Sequence, residues 1–476
     1  MATLTLSIDP DAGIRSDYQL KTNSYDLGVD IELHDAVQRL RFEHPGVKTV
    51  VVTGGLDKIF CAGANIQMLA GASHAHKVNF CKFTNETRNS IEDATANSGQ
   101  TWIAAVNGTA AGGGYELALA CDEILLIDDR SSSVSLPEIP LLAVLPGTGG
   151  LTRVVDKRLV RRDLADAFST RTEGVRGQTA LDWGLVDHIA PASGFAELIA
   201  ERAAARSSES DRPNGETGIE LPPISIEIGT DTLTTTSVTC ALDRATGTAA
   251  VTVGAPSENE PATGDELAAQ GATSWLIRCA RELDAVILHL RFNEPEIGTW
   301  VLATIGDAQA VLAAESVIEA EPDHWLVREA RLLWARTFER LDLSARSLVA
   351  VIEPGSCFAG TLVELALAAD RVFMLDGTWE DADNPPPPAT MQLSDANLGW
   401  YPMANDLSRL QTRFWGRDDA YAAAATTTGQ PLEAADAADA ELVTFTPDDL
   451  DWHDELRLTF EAVSYTHLTL PTTPYV

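Results

Sequence analysis

The chain repeats itself once. Arg39-Leu40-Arg41-Phe42-Glu43-His44-Pro45 recurs as His289-Leu290-Arg291-Phe292-Asn293-Glu294-Pro295, with Arg41 and Arg291 standing 250 positions apart. An apolar run follows each copy, Thr49-Val50-Val51-Val52-Thr53 and Thr299-Trp300-Val301-Leu302-Ala303-Thr304. Further on, Tyr115-Glu116-Leu117-Ala118-Leu119-Ala120-Cys121-Asp122 is echoed by Val363-Glu364-Leu365-Ala366-Leu367-Ala368-Ala369-Asp370. Each echo runs into another strand-like stretch, Ile124 to Ile127 and Val372 to Leu375. Matches kept in one order at nearly one offset mark a duplicated domain.

Short strands alternating with helical stretches place both halves in the α/β class. The first unit is expected over residues 1–205 and the second over 222–463. Residues 206–221, rich in Ser, Glu, Asp, Pro and Gly, read as a solvated acidic linker. The second unit opens with Ile224 to Ile228 and Ala249 to Val253, which alternate like two antiparallel strands. Met1 leads directly into the alternating stretch Ala2-Thr3-Leu4-Thr5-Leu6, which reads as a truncated N-terminal strand. Residues 464–476 carry no charged acid or base, directly after an acid-rich stretch. They read as a non-native tail and are set aside from fold reasoning.

The net charge of −36 makes nucleic acid an unsuitable partner, because a polyanion would approach a strongly negative surface. The six cysteines are scattered without a CxxC pair or zinc spacing, and His74 and His76 lack matched ligands nearby. No metal site is expected. No apolar run reaches membrane-spanning length and no signal-like segment opens the chain, so a cytoplasmic, membrane-free protein is expected.

The chemistry concentrates in the first unit. Gly112-Gly113-Gly114-Tyr115-Glu116 stands at the mouth of an alanine- and leucine-rich helix, with Leu136-Pro137-Glu138 downstream. A helix start frees backbone N–H groups that can hold a developing oxyanion, and two carboxylates beside it can move protons. Close approach of the two acids should raise their pKa values and keep one protonated.

These residues resemble the enoyl-CoA hydratase/isomerase (crotonase) family. The matching motifs are Phe60-Cys61-Ala62-Gly63-Ala64-Asn65, Val106-Asn107-Gly108 running into the glycine triplet, and Leu136-Pro137-Glu138 continuing to Leu145-Pro146-Gly147-Thr148-Gly149-Gly150. The resemblance implies tandem crotonase-like units of ββα spiral type. It also implies an oxyanion hole from the backbone N–H groups of Ala64 and Gly113, with Glu116 and Glu138 as the catalytic acids. Ala62, Gly63 and Gly112 would let a thioester approach the backbone, Asn65 would join them at the substrate, and Lys58 would contact a CoA phosphate. CoA would enter as part of an acyl-CoA substrate, with no separate cofactor.

His76 to Asn89, Asn23 to Asp30 and Asp128 to Ser135 are similar to one branch of that family, the fused double-unit lyases that open the ring of an oxidised benzoyl-CoA. That resemblance implies a dihydrodiol or epoxide substrate, release of formate and an open-chain semialdehyde CoA ester. It also implies assembly as a homo-oligomer, most simply a dimer. The alternatives are an ordinary enoyl-CoA hydratase or isomerase and a non-catalytic acyl-CoA-binding protein. In the second unit Thr361 falls opposite Gly113, Glu315 opposite Ala64 and Ser394 opposite Glu138, while Glu364 persists opposite Glu116. That copy is expected to be degenerate and structural.

Overall fold

The computed structural model describes residues 1–257, 260–379 and 385–469, with side chains described through residue 462. The chain divides into two compact units, Met1–Glu220 and Leu221–Val476. Both alternate strands with helices and build mainly parallel sheets, which establishes the α/β class.

In the first unit five parallel strands lie in the order Ala2–Leu6, Thr49–Gly54, Thr101–Val106, Glu123–Ile127 and His188–Ala190. The inner strands read as unbroken apolar runs because both faces are covered. Val51, Ile103, Ala105 and Leu125 pack on one side against Phe195 and Ala203 of the helix Phe195–Glu209. Val50, Val52, Trp102 and Ala104 are equally buried, alternating along the same strands. A second, three-stranded parallel sheet joins Lys58–Cys61, Gly108–Ala111 and Val134–Ser135. Ser24–Tyr25 pairs in parallel with Gly63–Ala64.

These smaller sheets aim the catalytic segment. Gly112 adopts φ +53°, a conformation suited to glycine, and turns the chain from Gly108–Ala111 into the helix Gly113–Ala120. Every residue of that helix is buried. Gly114 is pressed on the Cys61 carbonyl, so closely that an added Cβ would stand 2.2 Å from it.

In the second unit seven strands run Glu227–Ile228, Thr232–Thr234, Val238–Asp243, Thr248–Gly254, Thr299–Ile305, Ser347–Ile352 and Arg371–Met374. The first three pairings are antiparallel and the rest parallel. The strands expected over Ile224 to Ile228 and Ala249 to Val253 do not pair with each other: Glu227–Ile228 pairs with Thr232–Thr234, and Thr248–Gly254 pairs antiparallel with Val238–Asp243, two intervening strands that the sequence does not separate.

The stretch expected as a solvated linker, 206–221, is corrected. The helix continues to Glu209, and beyond it Arg212 is buried, donating to the Pro45 carbonyl at 2.8 Å and the Ser98 hydroxyl at 2.6 Å. Ile219 donates its N–H to the Phe42 carbonyl at 3.0 Å and buries its side chain. A polar composition misled here because one arginine satisfies several backbone carbonyls at once. Of the tail expected at 464–476, the backbone to residue 469 continues the last helix, Trp452–Thr469, and the remainder lies outside the described residues.

Candidate functional site

The helix Gly113–Ala120 places Glu116 on its first turn, wholly buried. An acid in such a helix needs partners, since burying an unpaired polar group costs several kcal/mol. The loop after Glu138 supplies them. Glu116 Oε1 accepts from the N–H groups of Thr148 at 3.0 Å and Gly150 at 2.8 Å, and Oε2 accepts from the Thr148 hydroxyl. Arg153 fixes that loop by donating to the Thr148 carbonyl at 2.9 Å while pairing with Glu92 at 2.8 Å.

Glu138 is differently placed. It opens the short helix Glu138–Leu142 and its carboxyl lies against Gly112, where an added Cβ would stand 2.6 Å from Oε1. Its Oε2 is buried without a hydrogen-bond partner among the described residues. Burial pushes its pKa up to about 7, its own backbone N–H opposes this, and the nearby charge of Glu116 adds to the rise. The two acids thus sit in opposed settings, one gripped by three donors and the other poised to titrate near neutrality.

Gly63 brings the second backbone segment in. It holds φ +83°, and a Cβ there would stand 2.7 Å from both the Ala111 carbonyl and the Gly113 nitrogen. Ala64 is therefore set beside the helix start, in register with Tyr25 across the short strand pair. Ala64, Gly63, Gly112, Gly113, Glu116 and Glu138 converge on one place.

Three expected residues do not join them. Asn65 is buried but spends its side chain on structure: Oδ1 caps the helix Ile66–Gly71 by accepting from Met68 N–H at 3.0 Å. Its Nδ2 donates to the Gln19 carbonyl at 2.8 Å and the Ser24 hydroxyl at 3.1 Å. All three of those bonds are made inside the protein, so the Asn65 side chain caps a helix and ties it to the chain before Tyr25. Lys58 is exposed at the start of Lys58–Cys61, with φ +58° and no side-chain bond that ties it to the acids. Ala62 is exposed beside Gly63, its N–H donating to the Thr22 carbonyl at 3.2 Å.

Sequence reasoning missed Thr148, Arg153 and Tyr25. Thr148 and Tyr25 stand inside the quoted motifs, so the signal was present but carried no role. No group of His, Cys, Asp and Glu among the described residues is arranged to hold a metal ion. No helix among them is long and apolar enough to cross a membrane.

The corresponding place in the second unit is filled by its own side chains. Gly360 has φ +47°, and the Thr361 N–H that follows donates to Glu315 Oε2 at 2.7 Å, as does the Thr361 hydroxyl. Spacing sets Glu315 opposite Ala64, yet it lies within the helix Ala308–Ala320 rather than in a strand. Glu364 pairs with Arg409 at 2.9 Å and accepts from Asn397 at 2.8 Å. Ser394 caps the turn Asp395–Leu398.

Residues 14–211 match the family model described as enoyl-CoA hydratase/isomerase. Over 461 residues, 97% of this chain and 82% of the relative, the sequence is 55% identical to a benzoyl-CoA-dihydrodiol lyase of Aromatoleum evansii. It is 33% identical over 171 residues to the fatty acid oxidation complex subunit alpha of Shewanella loihica, covering 35% of this chain and 23% of that one. A crystal structure of an enoyl-CoA hydratase from Bacillus anthracis aligns at 32% identity and TM-score 0.35, over 40% of this chain and 69% of that one. With 55% identity to a relative across 97% of its length and the family model matched over residues 14–211, the chain belongs to the enoyl-CoA hydratase/isomerase family.

Proposed function

We propose that the chain is a ring-opening lyase acting on an oxidised benzoyl-CoA, the 2,3-dihydrodiol or the 2,3-epoxide. The observation that carries this is the 55% identity, spanning 97% of the chain, to the benzoyl-CoA-dihydrodiol lyase of Aromatoleum evansii. One water added to the dihydrodiol, or two to the epoxide, balances formate plus an open-chain semialdehyde CoA ester. The first unit performs the reaction. The backbone N–H groups of Ala64 and Gly113 hold the thioester oxygen as it gains charge, aided by the helix start at Gly113. Glu116, oriented by Thr148 and Gly150, takes the proton that activates water. Glu138, protonated near neutrality, gives and recovers a proton at the breaking ring bond.

In this reading the second unit is a degenerate copy of the first and plays a structural part. Its topology supports a common origin: Thr299–Ile305, Ser347–Ile352 and Arg371–Met374 neighbour one another as Thr49–Gly54, Thr101–Val106 and Glu123–Ile127 do. CoA enters only as part of the substrate, and the working assembly is a cytoplasmic homo-oligomer, most simply a dimer. The test is incubation of the purified chain with the benzoyl-CoA dihydrodiol, the epoxide and crotonyl-CoA, with formate assayed. Formate from an oxidised benzoyl-CoA supports the lyase. Hydration of crotonyl-CoA without formate replaces it by an ordinary hydratase, and thioester binding without turnover replaces it by a binding protein.

A further inference from the structure

Tyr25 is buried at the junction of the two backbone segments that line the site. Its strand partner is Ala64, and its carbonyl accepts from Asn65 N–H at 2.9 Å. Its hydroxyl lies over Gly113, where an added Cβ would stand 2.0 Å from the phenolic oxygen. Glycine at 113 therefore does two things: it starts the helix and leaves room for this hydroxyl.

The ring is held in place from behind. Phe80 packs against it with centroids 6.0 Å apart, and the Arg88 guanidinium lies 5.4 Å from its centroid. Arg88 is itself pinned by a buried ion pair with Asp30. The hydroxyl, by contrast, has no hydrogen-bond partner among the described residues, although the side chain is only 4% exposed. A buried donor left unmade is costly, so a rigidly held phenol without a partner calls for a ligand atom. Glu138 Oε2, near the neighbouring Gly112, is a second buried oxygen without a partner among the described residues.

We propose that the Tyr25 hydroxyl is a third donor to the thioester oxygen, acting with the N–H groups of Ala64 and Gly113. This deepens the oxyanion reading above and rests on it. Burial, together with the nearby charge of Glu116, holds the phenol well above its ordinary pKa, so it keeps its proton and donates, against an opposing pull from Arg88. A neutral donor aimed at the oxygen strengthens as charge develops there and helps less in the ground state.

The test is Tyr25→Phe in the full-length chain, with two readouts. Turnover of the benzoyl-CoA dihydrodiol or epoxide should fall about a hundredfold, the low end for loss of one oxyanion donor. The melting temperature should hold, because the hydroxyl makes no bond within the protein. In parallel, carbonyl-labelled benzoyl-CoA, which lacks the ring oxygens, is bound and its C=O stretch read by infrared difference spectroscopy. Wild type should shift the band to lower frequency and Tyr25→Phe should shift it less. A shift in the variant equal to that in wild type, or no shift in wild type, overturns the assignment. A lowered melting temperature with an equal shift would make Tyr25 structural and overturn it too. Should wild type fail to open either ring substrate, the lyase reading falls while the band still decides the role of Tyr25.

Discussion

Thr148 grips Glu116 twice, through its backbone N–H at 3.0 Å and through its hydroxyl, while Arg153 holds the Thr148 carbonyl from the other side. The acid that should activate water is thus aimed by a loop rather than by its own helix. Thr148→Val keeps the backbone donor and removes the hydroxyl. Turnover is expected to fall about tenfold, the equivalent of roughly 1.4 kcal/mol, with KM little changed. Steady-state kinetics on the ring substrate checks it, and equal activity would show that the hydroxyl bond does not orient the acid.

Glu116→Gln tests the acid itself. Turnover should drop at least about a hundredfold, the lower range of general acid–base contributions. Stability should fall as well. The glutamine NH2 would face one of the N–H groups of Thr148 and Gly150 or the Thr148 hydroxyl, leaving a buried donor unmet at about 1–3 kcal/mol. Kinetics paired with thermal unfolding measures both effects.

Glu138→Gln should also cost at least about a hundredfold in turnover, yet it should have the opposite effect on stability in alkaline buffer. The folded-state pKa of Glu138 is raised to about 7 from its ordinary 4.5. The folded protein therefore holds a proton there that the unfolded chain has released, and stability contributed by the neutral form is full below about pH 4.5. It drains away as pH rises towards 7. Wild type should thus lose stability across that window relative to Glu138→Gln, with the gap widest above pH 7. The activity of wild type should show a limb near pH 7 if the protonated form is needed, falling on the alkaline side. Parallel melting curves from pH 4 to 8.5 would reveal a constant gap if Glu138 does not titrate there.

Glu364→Gln separates the two units. Ser394 stands where the first unit has Glu138, so turnover per folded molecule should stay within about twofold of wild type. The melting temperature should fall, because breaking a buried pair by removing one partner costs about 3–5 kcal/mol. The Arg409 guanidinium keeps Asp342 at 2.6 Å, which limits the loss. A hundredfold loss of turnover with normal stability would place chemistry in the second unit.

Much of this site is legible in the chain, because glycine and carboxylate positions carry their own reasons. Gly63 and Gly112 adopt backbone conformations that glycine takes readily, and Glu116 stands on the first turn of the helix that the glycine triplet marks. Asn65 and Arg212 are harder. Each is polar in a stretch that reads as site or linker, and each donates to a backbone carbonyl distant in sequence, Gln19 for Asn65 and Pro45 for Arg212. Composition cannot reveal those bonds, since any residue can supply the backbone side of them. The grip of Arg153 on the Glu116 loop is hidden for the same reason.

Glu315 deserves a historical reading. Its carboxylate accepts from the Thr361 N–H and hydroxyl, the first donors beyond the glycine turn of the second unit. If both units descend from one active ancestor, reinstating an acid at Ser394 would not revive the copy, because a charged side chain would still stopper the place a thioester oxygen needs. Removing Glu315 alone would strand the buried Thr361 N–H and weaken the fold, although the Thr361 hydroxyl would keep Tyr401 as a partner at 2.9 Å. Either reversal taken first is unrewarded, so such a loss behaves as a ratchet: the lineage can elaborate its single working centre, but it cannot drift back to two.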